Sequence, residues 1–436
     1  MTRKMKDSGI EWIGEIPEDW EIKRLQWGLS EIVKRNNPIQ TESILSLTKD
    51  RGVIPYEDKG NQGNKSKTNY EDYKLAYPNT IVMNSMNVII GSVGLSDFFG
   101  CVSPVYYVFK ARENNDIRFF NYIFQTTKFQ EELKKYANGI LEIRLRVSSE
   151  NVLKRKISFP KFEIQKRISD ILDKKMEQIE NIESTITQEI QTLENYKKSV
   201  ITEAVTKGLD KNVEMKDSGI EWIGEIPKHW NLITIKYIAK KITDGAHIAP
   251  DTSDEIYNFV SVVDIDNNGN IDFENCLKIT EAQYKYLKRN GCKVNIDDIL
   301  ISKDGTVGKT VYINANDEFV VASSLVIIRP NLLQAIPKFI KYALDSNLVS
   351  EQLNSLVSGS ALKRISVYKN SNLKIVFTAD KKDQAMIVDY LDNKTKLIND
   401  AISAKQKQLE TLEEYKKSLI YEYVTGKKEV NDGEES

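Results

Sequence analysis

MKDSGIEWIGEIP occupies Met5–Pro17 and returns, letter for letter, at Met215–Pro227, 210 positions further on. A second repeat closes each half. TLENYKKSVITEAVTKG at Thr192–Gly208 becomes TLEEYKKSLIYEYVTGK at Thr411–Lys427, an offset of 219. Internal similarity at so long a period marks a tandem duplication. Between the matching ends the two halves differ greatly. A repeated frame suits one kind of partner held twice, and two divergent inserts suit two different tasks of one kind.

The second repeat lies on the clearest helix of the chain. Glu163 to Lys207 contains no Pro or Gly, and from Ile168 apolar or aromatic residues recur at Leu172, Met176, Ile179, Ile182, Ile186, Ile190, Leu193, Tyr196 and Val200. Steps of three and four place them on one stripe of a helix, with Lys, Glu and Gln elsewhere. The second copy has the same habit at Ile387, Leu391, Ile398, Ile402, Leu409, Leu412, Tyr415 and Leu419. Long helices with a narrow stripe need a partner helix, and the economical partner of each is the other. A coiled coil that only dimerises would show the same pattern.

The inserts, roughly residues 20–160 and 230–378, read as mixed α/β. Strand-like runs include Thr80–Met83, Val105–Phe109, Phe259–Val263, Ile299–Ile301, Val311–Ile313 and Val320–Ile328. They echo each other weakly at an offset of 220. Ser103–Val105 pairs with Ser323–Leu325, and Asn138, Gly139 and Arg144 pair with Ser358, Gly359 and Arg364. One shared insert fold is expected. The fold class is thus α+β: two similar α/β domains joined and separated by two long antiparallel coiled-coil helices, with pseudo-two-fold symmetry. The expected borders are 1–162 and 213–379 for the α/β domains, 163–212 and 380–428 for the helical regions, and 429–436 for an acidic tail.

Composition narrows the function. With 40% hydrophobic and 29% charged residues the chain suits a soluble globular protein. No apolar run approaches the roughly 18 residues of a membrane span, and MTRKMKDSG at the start has no apolar region of a secretory signal. Cys101, Cys276 and Cys292 lack metal or redox spacing and read as free thiols in a reducing cytoplasm. The net charge of −1 leaves room for a local basic patch without demonstrating one.

Catalytic motifs are missing from the sequence. His229 and His247 both lie in the second half, and His229 stands where the first half has Asp19, so no histidine triad serves both halves. Neither the (Asn/Asp)-Pro-Pro-(Tyr/Phe) motif of amino-methyltransferases nor a GxGxxG after a strand occurs. Gly305–Thr310, GTVGKT, imitates a phosphate-binding loop. Lys303 stands where the first glycine is needed, and ValTyrIle follows where a helix should start. A glycine-rich hairpin is expected instead. Asp264, Asp266 and Asp272 imitate a calcium loop, but its twelfth position is Asn275 rather than Glu. A turn between strands is expected, and neither a metal nor a cofactor. Recognition remains. The loop Glu57–Asn69 carries Lys59, Asn61, Gln62, Asn64, Lys65, Lys67 and Thr68, donors suited to phosphates and base edges. An ordinary solvated loop has the same composition.

The whole pattern closely resembles the specificity (S) subunit of type I restriction-modification systems. The duplicated AspSerGlyIleGluTrpIleGlyGluIlePro, IleThrAspGlyAlaHis (Ile242–His247), Asp298–Lys309 and Glu414–Ile420 carry the resemblance. It implies a non-catalytic reader of double-stranded DNA, with one target recognition domain for each half of a split, asymmetric site. The long helices would set the spacer. The repeated frame would dock two modification (M) subunits, which flip out the target adenine, and restriction (R) subunits would join them. Three other readings stand beside it: a coiled-coil scaffold without DNA, a complete methyltransferase or nuclease in one chain, and the DNA-reading subunit of another two-component restriction-modification system.

On this reading DNA contacts are expected from Lys59, Asn61, Lys65, Lys67, Asn84 and Asn87 in the first insert. In the second they are expected from Thr243, His247, Lys303, Thr306, Lys309 and Ser323. Contacts to protein partners are expected from the duplicated positions Trp12, Ile13, Trp222, Ile223, Tyr196, Lys197, Tyr415 and Lys416.

Overall fold

The identical stretches fold identically. Met5–Asp7 pairs antiparallel with Glu15–Pro17, and Met215–Asp217 with Glu225–Pro227, in the same register. The turn is written locally. The Asp7 carboxylate accepts from the Gly9 amide and the Ser8 hydroxyl from the Ile10 amide, and Asp217 and Ser218 repeat both bonds. Such Asx- and Ser-turns tighten a loop with side chains alone. The structure, a computed structural model, describes residues 3–48, 51–59, 69–86, 91–137, 145–221, 223–252, 256–266, 268–356 and 364–430.

Two compact units emerge. One comprises residues 1–186 and 407–436, the other residues 187–406. The first long helix runs Phe162–Lys207 and the second Lys381–Val424. In the first unit the start of one helix (Ile168, Leu172) shares a core with the end of the other (Leu419, Tyr423). In the second unit the end of the first helix (Val200, Val205) meets the start of the second (Ile387, Leu391). The pairing is therefore antiparallel. Lys197 Nζ donates to Asn399 Oδ1 at 2.9 Å, and Glu189 pairs with Lys405. The stripe is not buried along its whole length. Ile168 and Leu172 are fully covered, whereas Ile182 and Tyr196 are 47% and 52% exposed. Cover varies along the stripe: Ile186, Ile398 and Ile402, outside the insert cores, are 7%, 7% and 5% exposed.

The inserts share one plan. Each has a four-stranded antiparallel sheet. In the first unit its order is Leu29–Glu31, Tyr106–Ala111, Thr80–Asn84, Val93–Ser96. In the second it is Ala239–Asp244, Leu325–Pro330, Ile299–Ser302, Thr310–Tyr312. Two short helices follow the long sheet strand in both, Ile117–Gln125 with Thr127–Lys134 and Pro337–Asp345 with Asn347–Leu356. The run Val320–Ile328, expected as one strand, is two. Phe319–Val321 belongs to a three-stranded sheet with Tyr257–Val260 and Leu277–Ile279, and Leu325–Pro330 to the main sheet. Among the described residues of the first unit no three-stranded sheet corresponds to this one.

Each insert is fastened to a long helix by the same side chains. Gln165 Oε1 accepts from the Asp116 amide at 3.0 Å, and Gln384 Oε1 from the Ile336 amide at 2.7 Å. Both glutamines are fully buried. Their Nε2 atoms donate to the carbonyls of Pro160 and Thr378. The Tyr122 hydroxyl and Arg118 converge on Asp173; Tyr342 and Lys338 converge on Asp392. Burial pushes both tyrosine hydroxyls well above the usual value; the adjacent carboxylate adds to this in each case, and at Tyr342 the hydrogen bond with Thr395 opposes it. Leaving either buried glutamine unpaired would cost about 1–3 kcal/mol.

Candidate nucleic-acid interface

In the second unit the end of strand Ile299–Ser302 opens into a hairpin whose loop is knotted by Ser302. Its amide donates to the Lys309 carbonyl, its carbonyl accepts from Gly308, and its hydroxyl accepts from the Lys309 amide at 2.8 Å. Gly305 and Gly308 take the left-handed conformations, φ 70° and 92°, that turn the loop. The expected glycine-rich hairpin is thus found, with strand Thr310–Tyr312 after it rather than a helix. The acidic segment Asp264–Asn275 is a turn in which Asp266 accepts from the Asn268 and Asn270 amides, and Asp272 from the Glu274 and Asn275 amides. Burial alone would raise the Asp266 pKa, but the hydrogen bonds from Asn270, Asn268 and Gly269 together lower it.

Beside the hairpin lies the loop Asp244–His247. Gly245 donates to the Leu325 carbonyl at 3.1 Å and Ala246 to Val321 at 2.8 Å, while Ser323 donates back to Ala246 at 2.8 Å. The Asp244 carboxylate lies 2.8 Å from His247 Nε2 and 3.9 Å from Lys303 Nζ. Lys303 Nζ is 3.0 Å from Asp304, whose other oxygen is 2.9 Å from Arg364 Nε. Basic and acidic groups therefore alternate along one lip.

The structure brings Thr243, His247, Lys303 and Ser323 together at this lip, with Thr306 exposed on the hairpin tip. Two lysines do not behave as exposed phosphate ligands. Lys303 is only 3% exposed and is occupied by the two aspartates. Lys309 is half-buried and donates to the Ile265 carbonyl at 2.6 Å. Both neutralise or satisfy groups of their own unit. In the first unit Asn84 is 9% exposed and its Oδ1 accepts from the Met86 amide. Lys59 sits 5.3 Å over the Tyr56 ring. Asn61, Lys65, Lys67 and Asn87 lie outside the described residues.

The duplicated positions expected to meet protein partners divide in two. Trp12 and Ile13 are 7% and 0% exposed, so their side chains belong to the core. Trp12 packs on Phe129, and both carbonyls accept from the Tyr421 hydroxyl at 3.0 Å. Ile223 is half-buried against the core of its unit, and Trp222 lies outside the described residues. Tyr196 and Tyr415 remain about half exposed, 52% and 49%. Lys416 is half-buried. Lys197 turns inward, toward a cleft of about 650 Å³ lined also by Asp266, Thr306, Lys309, Lys341 and Asp345. Burial, and then the nearby Lys341, lower its pKa.

Sequence reasoning missed Asp304, Arg364 and the fastening residues Gln165 and Gln384. The glutamines were detectable as a pair at the 219 offset of the helical repeat. No group of His, Cys, Asp or Glu placed to hold a metal occurs among the described residues, and no helix there is long and apolar enough to cross a membrane.

Comparison with known proteins accords with this geometry. The family described as Type I restriction modification DNA specificity domain matches twice, over residues 17–192 and 227–411. The chain is 25% identical over 433 residues to the type I restriction enzyme MjaVIII specificity subunit of Methanocaldococcus jannaschii, covering 94% of this chain and 93% of that protein. A solved chain from a study of complex assembly and conformational transition of the type I R-M system superposes with a TM-score of 0.66 at 13% identity. It covers 94% of this chain and 98% of that one, a likeness of fold. With the family matched in both halves, around a frame that folds the same way twice, the chain belongs to the DNA specificity subunits of type I restriction-modification systems.

Proposed function

We propose that each unit reads one half of a split DNA site, that the two half-sites differ, and that the repeated frame carries two modification subunits which restriction subunits then join. One observation supports this most. The hairpin, the fastening glutamines and the helix pairing recur in both units, while the lips at the sheet ends carry different residues and the second unit adds a three-stranded sheet. Equal frames suit equal partners; unequal lips suit unequal half-sites. In this reading the chain supplies the address, in the cytoplasm where the DNA is, and the chemistry belongs to the other subunits. His247, Thr243, Thr306 and Ser323 are the reading contacts of the second unit. Lys59, Asn61, Lys65, Lys67 and Asn87 are those of the first.

Exchange of residues 20–160 for the equivalent insert of a relative tests the reading. Sequencing of methylated sites should find one half-site changed and the other intact; a change in both would refute separable readers. The partner surface is tested by native mass spectrometry. Tyr196 and Tyr415 are exposed at matching places on the two helices, each followed by LysLysSer. Two modification subunits should bind each chain, and saturation at one would contradict the duplicated surface.

A further inference from the structure

The two inserts share an exposed arginine. Their sequence echo, read at an offset of 220, pairs Arg364 with Arg144; the backbone pairs it with Arg146. Each of these arginines holds an isolated bridge position and is exposed. Each is followed by a buried aliphatic, Val147 or Ile365, 0% and 1% exposed. The amide of that residue donates to the carbonyl at the end of a central sheet strand, Ser85 at 3.2 Å or Lys303 at 2.9 Å. Next comes a serine, Ser148 or Ser366, whose hydroxyl caps a short helix at 3.2 Å in both units. The two arginines therefore stand at one place on one lip, twice.

Among the described residues no carboxylate meets this charge in both units. Arg146 has no ion-pair partner among the described residues. Arg364 rests on Asp304, but the residue corresponding to Asp304 in the first unit is Met86. The carboxylate is thus particular to one unit, and the guanidinium is common to both. The Arg364 side chain is 64% exposed, so its far end is open to a ligand.

We propose that Arg146 and Arg364 are equivalent anchors for DNA phosphates, one in each reader; this rests on the reading of the units as DNA readers. A residue shared by two surfaces that recognise different sequences cannot encode their difference. What two unlike half-sites have in common is the sugar-phosphate backbone, whose contacts fix register and orientation without sequence information. The planar guanidinium matches a phosphate with two parallel hydrogen bonds.

The test uses the full chain assembled with its modification subunits, and a duplex selected by the wild-type complex from a randomised pool. Arg146→Ala and Arg364→Ala should each weaken binding about tenfold or more. The loss should be the same on the selected duplex and on a scrambled one. The slope of log affinity against log salt should fall by about 0.9 for each lost phosphate, and the pool should yield an unchanged consensus. Arg→Lys variants, which keep the charge, should keep the slope; their retention separates a lost contact from a damaged fold. An unchanged slope in both alanine variants overturns the proposal. So does relaxed preference at one base of one half-site, the mark of a base-reading side chain. A wild-type complex that selects no duplex overturns the DNA-reading function itself, and with it this proposal; a wild type that selects a site while both variants match it overturns the proposal alone.

Discussion

Ending the chain after Ser418 is expected to unfold the first unit and leave the second folded. The residues removed include Leu419, Ile420, Tyr423 and Val424, which are 1%, 3%, 0% and 0% exposed in the core of the first unit. At about 1.5–3 kcal/mol for each large buried side chain, the loss is roughly 6–12 kcal/mol. That rivals the whole stability of a domain, about 5–15 kcal/mol. Hydrogen bonds go with it: Tyr421 to the carbonyls of Trp12 and Ile13, and Ser158 Oγ to the Val424 carbonyl. Gly426, in the left-handed conformation at φ 74°, also brings the end of the helix onto Pro17 and Trp20. None of these core contacts or hydrogen bonds involves residues 187–406. Hydrogen exchange should show protection collapsing across residues 3–186 and persisting in the second unit. Retained protection around Trp20 and Phe129 in the truncated chain would mean that the first unit does not depend on this strand of sequence.

Gly245→Val should abolish reading of the second half-site while the first half-site is still read. A Cβ at position 245 would lie 2.1 Å from the Val321 carbonyl oxygen and 2.4 Å from that of Ala322. Both are backbone atoms of the core sheet region, with Val321 itself buried, and cannot step aside as a flexible side chain could. The loop must move instead, carrying Asp244 and His247 with it and breaking the bonds from Gly245 and Ala246 to Leu325 and Val321. Overpacking of this kind costs about 1–3 kcal/mol and occasionally more. A distorted lip should therefore lose at least about tenfold in preference for its half-site, since each 1.4 kcal/mol is tenfold. Methylation of the full site should disappear, and preference for the first half-site should be untouched. Gly245→Ala should show the same loss in milder form. A Val variant that selects the wild-type second half-site with wild-type affinity would remove this loop from the reading surface.

The repeated hairpin, the two long helices and the likeness of the inserts were legible because each is coded at short range. MKDSGIEWIGEIP carries its own turn bonds, and the stripe from Ile168 to Val200 is a local periodicity. The family was legible for the same reason, since its words are contiguous. The individual contacts were not. Lys303 and Lys309 look like phosphate ligands in sequence because glycines surround them. Only the fold shows that Asp304, Asp244 and the Ile265 carbonyl already hold their ammonium groups. Trp12 and Ile13 look like a duplicated partner surface, and burial makes them core.

The sequence by itself determined that this protein is a duplicated frame around two different inserts, because repetition and helical period are properties of neighbouring residues. Tertiary structure alone decided which charged side chains are occupied within their own unit and which stay exposed. It paired Arg364 with Arg146 rather than Arg144, because the offset of 220 that relates the preceding helices, Thr127–Lys134 and Asn347–Leu356, has become 218 at the capping serines Ser148 and Ser366. It also completed the first unit with residues from the far end of the chain, since burial depends on what packs in space and not on what is adjacent in sequence.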